Sequence, residues 1–133
     1  MIEETKYKFK NLVFEGGGVK GIAYGGALTK LEELGIFQNI ERVAGTSAGA
    51  ITATLMAIGY SAQEILEIIA KTNFKDFADD DEGYLKDIYR LLIYFGWHKG
   101  DKLKQWVSDH LFVKFGKSDL IFSELYTLAN TNP

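Results

Sequence analysis

Cysteine is missing from this chain of 133 residues, which excludes disulfides, thiolate metal sites and a cysteine nucleophile and leaves the redox compartment open. Histidine occurs only twice, too few for most metal sites, and neither a metal nor a cofactor is expected. Neither sign of charge dominates: 15 basic and 18 acidic residues give a net charge of −3, without the basic face or tail of a nucleic-acid binder. The first residues, Met1-Ile2-Glu3-Glu4-Thr5-Lys6, lack an apolar stretch of signal-peptide length, and no run approaches the ~18 apolar residues of a membrane span. A protein soluble where it is made is expected, cytoplasmic or peripheral to a membrane. Low-complexity linkers and internal repeats are also missing.

What is present reads as one domain, with 47% apolar and 25% charged residues, ordinary values for a globular protein. The chain is organised around Val43-Ala44-Gly45-Thr46-Ser47-Ala48-Gly49-Ala50, where a short apolar run stops at a glycine, presents a serine and continues into small helix-compatible residues. Gly-x-Ser-x-Gly between a strand and a helix is the pattern of a nucleophile elbow, with the serine hydroxyl held above the sheet on a strained turn. Ser47 also fits the N-cap of the next helix, where its oxygen would accept from free backbone N–H groups. At Gly45 and Gly49 a side chain would collide as strand and helix fold back on each other.

The stretch Lys8 to Glu15 predicts a short buried strand that runs into Gly16-Gly17-Gly18-Val19-Lys20-Gly21. Three consecutive glycines serve where the backbone must turn unusually or come close to something. Ile22, Tyr24, Ala27, Leu28, Leu31 and Leu34 then recur at helical spacing, with Gly35 as the stop. A glycine loop opening a helix points free N–H groups and the positive end of the dipole at one spot, which suits an anion or a developing negative charge. Gly16, Gly18 and Gly21 also satisfy the dinucleotide pattern, which needs an acidic residue at the end of the second strand. That strand, Ile40 to Ala44, runs instead into Gly45-Thr46-Ser47, and Glu41 precedes its end. Strand, helix and strand form a right-handed parallel unit, so both loops leave the carboxyl ends of neighbouring strands, where open α/β sheets place their sites.

Beyond Ser47, Ala48 to Ile58 is nearly uncharged and predicts a buried helix ended by Gly59. Ser61-Ala62-Gln63-Glu64 is a capping box for a helix carrying Ile65, Leu66, Ile68 and Ile69. Thr72 to Gly83 holds Asp76, Asp79, Asp80, Asp81 and Glu82 without the alternating ligand spacing of a calcium loop, and is expected to be a solvated connection. Tyr84 to Phe95, followed by Trp97, is apolar nearly all round a helix, which predicts deep packing or contact with a lipid surface. Gly100-Asp101 is read as the cap of a helix from Lys102 to Phe112, and Phe122 to Leu128 as a last short helix.

With both loops in hand, the chain resembles the patatin-like phospholipases. The resemblance rests on Gly16-Gly17-Gly18-Val19-Lys20-Gly21 after the first strand and Gly45-Thr46-Ser47-Ala48-Gly49 after the second. It continues through Lys99-Gly100-Asp101-Lys102-Leu103 and Phe122-Ser123-Glu124-Leu125-Tyr126, and spans the chain from Leu12 onward. It implies an α/β fold, a three-layer α/β/α arrangement around a mainly parallel sheet, and a Ser-Asp dyad that hydrolyses acyl esters of phospholipids or other lipids. Carried over position by position, Ser47 becomes the nucleophile. Gly16, Gly17 and Gly18, with Ala48, supply the oxyanion-hole N–H groups, Gly21, Gly45 and Gly49 are the motif glycines, and Lys20 fills a basic position able to meet a lipid headgroup. The implied partners are an acyl-lipid substrate and a membrane surface; oligomeric state is left open.

The family's aspartate lies in an Asp-Gly motif, and no Asp-Gly dipeptide occurs here. His98 and His110 are the alternative bases considered, while Asp101 reads as a cap and Asp109 and Asp119 lack a motif. Two strands against five or so helices also leave a parallel sheet short of neighbours and cover. The expectation is therefore that residues 1–133 are the N-terminal portion of a single patatin-like domain, with the aspartate beyond this chain and little activity from the chain alone. The alternatives are an inactive lipid- or protein-binding fragment with an exposed sheet edge, and a nucleotide-binding module built on Gly16 to Gly21.

Overall fold

The computed structural model describes residues 8–73, 77 and 100–131. They divide into two compact units, the first within Met1–Thr72 and Leu120–Pro133 and the second within Asn73–Asp119.

The first unit begins with strand β1 (Asn11–Phe14), shorter than the stretch the sequence predicts. Its limits have local causes. At one end the Lys10 carbonyl accepts from both Glu41 and Arg42 N–H groups, at 2.8 and 3.0 Å, and at the other the chain turns into the glycines. A 3-10 turn, Gly18–Ile22, which helical periodicity alone did not distinguish, leads into helix α1 (Ala23–Glu33). Gly35, at φ 66°, ends α1 by letting the Gly35 and Ile36 N–H groups bond back to the Glu32 and Leu31 carbonyls, the Schellman arrangement. A second 3-10 turn, Phe37–Asn39, delivers strand β2 (Arg42–Gly45). The strands pair in parallel, Asn11 with Arg42 through Phe14 with Gly45. One further bond, Thr46 N–H to the Phe14 carbonyl at 3.2 Å, carries the ladder to the edge of the serine turn.

Helix α2 (Ala48–Ile58) matches the predicted limits and is buried along most of its length, at Ala48, Gly49, Ile51, Thr52, Ala53, Leu55 and Ile58. Its lack of charge follows from that burial. The one polar side chain buried there, Thr52, donates to the Ala48 carbonyl at 3.2 Å. Helix α3 (Ala62–Lys71) opens on the predicted capping box, Ser61 bonding the Glu64 N–H while the Glu64 carboxylate accepts from the Ser61 N–H. Its Ile65 and Ile69 join Leu28 and Leu55 as fully buried side chains, each worth about 1.5–3 kcal/mol of burial. Gly25 lets α1 and α3 approach closely, since a Cβ there would overlap the Leu66 side chain.

In the second unit, helix α4 (Asp101–Phe115) is longer than predicted and starts differently. Gly100 holds the N-cap position at φ 76° and no side chain caps it, so Asp101 is the first helical residue and not the cap. Trp106 meets Phe77 and His110 edge-on, with ring centroids 5.7 and 4.2 Å apart. Helix α5 (Phe122–Thr131) belongs to the first unit. Most of the acidic connection, the apolar Tyr84 to Phe95 segment, Trp97, His98 and Lys99 lie outside the described residues. No helix among the described residues is long and apolar enough to cross a membrane.

Candidate active site

Ser47 is the one described residue other than glycine with a positive φ, at φ 50° and ψ −125°. A side chain held there costs about 1–3 kcal/mol, so packing around it imposes the turn. It occupies the N-cap position of α2, yet its side chain accepts no capping hydrogen bond. Its backbone carbonyl does the work at that position, accepting from Ala50 at 2.9 Å. The hydroxyl is exposed and has no hydrogen-bond partner among the described residues. Of the two readings open in the sequence, the side chain is not a cap.

The glycines around Ser47 interlock the two loops. A Cβ at Gly45 would fall on the Gly49 carbonyl, and one at Gly49 would lie 2.5 and 2.6 Å from the carbonyl oxygens of Phe14 and Glu15. Gly49 is thus pressed on the end of β1. A Cβ at Gly21 would stand 2.9 Å from the Ala48 Cβ, and one at Gly16 would stand 3.2 Å from Thr46 Oγ1 and 3.3 Å from the Ser47 Cβ. The Gly16 to Gly21 loop therefore lies directly against the serine turn. Gly18 takes φ 54°, which only glycine adopts cheaply. Among the described residues, the N–H groups of Gly16, Gly17, Gly18 and Ala48 donate to no protein acceptor. Chemically this is an exposed hydroxyl on a strained turn beside a set of unengaged backbone donors.

Lys20 is exposed in the 3-10 turn. His110, Asp101, Asp109 and Asp119 belong to the second unit. Burial pushes His110 below the usual histidine pKa despite the neighbouring Asp109, whose carboxylate accepts from Gln105. A cavity of about 670 Å³ opens at the other end of β2, lined by Ile40, Glu41, Val43, Tyr60, Phe122 and Leu125 among others, without Ser47 or the glycine loop. No group of three or more His, Asp or Glu side chains among the described residues is placed to hold a metal ion.

Tyr24, which the sequence pattern places on the apolar stripe of α1, has a second role that the pattern does not show. Its hydroxyl donates to the Glu15 carbonyl at 2.6 Å, and its ring meets Phe14 edge-on, centroids 5.2 Å apart. The available signal was a hydroxylated aromatic in the first turn after a glycine loop.

The profile of the family described as patatin-like phospholipase matches residues 12–129. The chain belongs to the patatin-like phospholipase family. It is 43% identical over 106 residues to the uncharacterized protein YqhO of Bacillus subtilis, covering 77% of this chain and 36% of that protein. It is 39% identical over 57 residues to a cUMP-AMP-activated phospholipase of Escherichia coli, covering 41% of this chain and 18% of the relative. The fold resembles a chain in the crystal structure of full-length ExoU with full-length SpcU, from the type III secretion system of Pseudomonas aeruginosa. There the TM-score is 0.62 and the identity 26%, across 97% of this chain and 24% of that one. The patatin-like α/β fold is thus shared, and the small parallel sheet is that of an incomplete α/β domain. The chain spans well under half the length of these relatives.

Proposed function

We propose that residues 1–133 are the N-terminal portion of a single patatin-like domain in a serine-dependent lipid acyl hydrolase, and that Ser47 is its nucleophile. Ser47 Oγ attacks the ester carbonyl carbon of a phospholipid or related acyl lipid, and its proton passes to an aspartate contributed from outside these residues. The carbonyl oxygen becomes an oxyanion, held by N–H groups of Gly16, Gly17, Gly18 and Ala48. Such pre-aimed donors are worth ~3 kcal/mol each because they need no reorganisation as charge develops. Collapse breaks the ester bond, the alcohol leaves with the proton, and water then cleaves the acyl-serine. Lys20 meets the anionic headgroup, and the protein works in peripheral contact with a membrane. The observation that carries this reading is the strained, uncapped Ser47 lying against a glycine loop with unengaged N–H groups.

The test is fatty-acid release from phosphatidylcholine vesicles by the protein encoded by the whole open reading frame, as wild type and as Ser47→Ala. A fall of at least about 10³-fold is expected, from the loss of a covalent nucleophile. Equal release by both would contradict the assignment.

One observation favours a second reading, a fragment that pairs with another chain. Among the described residues β1 and β2 pair only with each other, and Val13, in the centre of β1, is 74% exposed. Open strand edges are templates for pairing.

A further inference from the structure

The Glu15–Gly16 peptide is held from two sides. Tyr24 Oη donates to the Glu15 carbonyl at 2.6 Å, and the same carbonyl oxygen sits against Gly49, where a Cβ would lie 2.6 Å from it. The peptide is planar and trans, with its C=O and N–H pointing in opposite directions. Fixing the Glu15 carbonyl therefore fixes the direction of the Gly16 N–H. That N–H has no protein acceptor among the described residues, and Gly16 borders Thr46 and Ser47.

Tyr24 is itself well anchored. It stands in the first turn of α1 and its ring packs edge-on against Phe14, at 73° between planes. Phe14 is buried and is the last residue of β1. One side chain thus ties the strand end, the loop and the helix start together, across a loop of glycines that has no side chains with which to hold itself. Glycine retains the most backbone freedom of any residue, so a loop of three needs an external brace to keep its donors aimed.

We propose that Tyr24 is a positioning residue for the glycine loop: by holding the Glu15 carbonyl, its hydroxyl fixes the direction of the Gly16 N–H in the loop that borders Ser47. The proposal rests on the reading of Gly16, Gly17 and Gly18 as oxyanion donors. The ring supports the core and the hydroxyl aims the loop, two roles that different substitutions separate. Tyr24→Phe keeps the ring and removes only the hydroxyl, whereas Tyr24→Leu removes both.

The experiment measures backbone 15N order parameters at Gly16, Gly17 and Gly18, thermal melting, and the rate of Ser47 labelling by a fluorophosphonate, with Ser47→Ala as control. In Tyr24→Phe the order parameters of the three glycines are expected to fall from the rigid range of ~0.85 toward ~0.6, with α1 unchanged and the melting temperature nearly so. Labelling slows by about tenfold, short of the ~10²–10³-fold lost when an oxyanion donor is removed outright. Tyr24→Leu lowers the melting temperature as well. Unchanged glycine order parameters in Tyr24→Phe overturn the proposal whatever the labelling does. A loosened loop with undiminished, Ser47-dependent labelling also overturns it. If Ser47→Ala labels like wild type, the hydrolase reading fails instead, and the order parameters still decide whether Tyr24 holds the loop.

Discussion

At Ser47 a side chain occupies backbone angles that suit glycine. The strain is local, about 1–3 kcal/mol, and it places the hydroxyl outside the reach of the helix end it would otherwise cap. Ser47→Gly should therefore raise stability by about 1 kcal/mol, measured by denaturant unfolding, while removing the hydroxyl. A loss of stability would mean that the hydroxyl contributes to the fold. The sequence announced this serine by its spacing to Gly45 and Gly49 but left open whether it caps or projects, because both uses place serine before a helix. Only the observed dihedral angles separate them. Tyr24 was illegible for a different reason: a tyrosine on an apolar stripe looks the same whether its hydroxyl is idle or bonded, and its partner is a backbone carbonyl that leaves no mark in the sequence. At Asp101 an acidic residue after glycine looks like a cap, whereas Gly100 at φ 76° takes that position.

Among elements, α2 is the one that makes the site. Its N-terminus presents Ala48, its second residue presses on the end of β1, and its apolar length ties both to the core. Gly49→Ala sets two effects against each other. Helix propensity favours alanine by up to ~1 kcal/mol, whereas a Cβ 2.5 Å from the Phe14 carbonyl oxygen forces a backbone shift of the overpacking kind, typically ~1–3 kcal/mol. The clash should prevail: chemical denaturation is expected to show net destabilisation, and a stabilised variant would show that the strand end and α2 are not closely interlocked. Helix order was legible because the chain punctuates its helices clearly. Gly35 and Gly59 stop α1 and α2 in left-handed conformations, and Ser61 with Glu64 starts α3. Strand limits were less legible, since β1 ends where hydrogen bonds to Lys10 and Glu15 redirect the chain, and apolar patterning does not record such bonds. The 3-10 turn at Gly18–Ile22 was blurred into α1 because Ile22 continues the helical spacing.

At the scale of the whole molecule, the described sheet has two strands and an exposed Val13 at its centre, while the buried helix α2 belongs to the architecture of a larger domain. Patatin-like membership and the α/β class were legible from two short motifs in the right order, because those motifs are where the backbone itself is used. The chain covers 36% of the length of its Bacillus relative. Sedimentation velocity speaks to the pairing reading: a concentration-dependent shift to larger species is expected if the open edges of β1 and β2 recruit other copies, and a monodisperse monomer across the range would set that reading aside.

Whether Ser47 is the nucleophile is decided by where an acyl-mimicking electrophile lands. Treated with a fluorophosphonate and mapped by peptide mass spectrometry, the chain should carry a single adduct on Ser47. The adduct should depend on the serine hydroxyl, so that Ser47→Ala carries none. An adduct on another residue, or an equal yield from Ser47→Ala, would contradict the account.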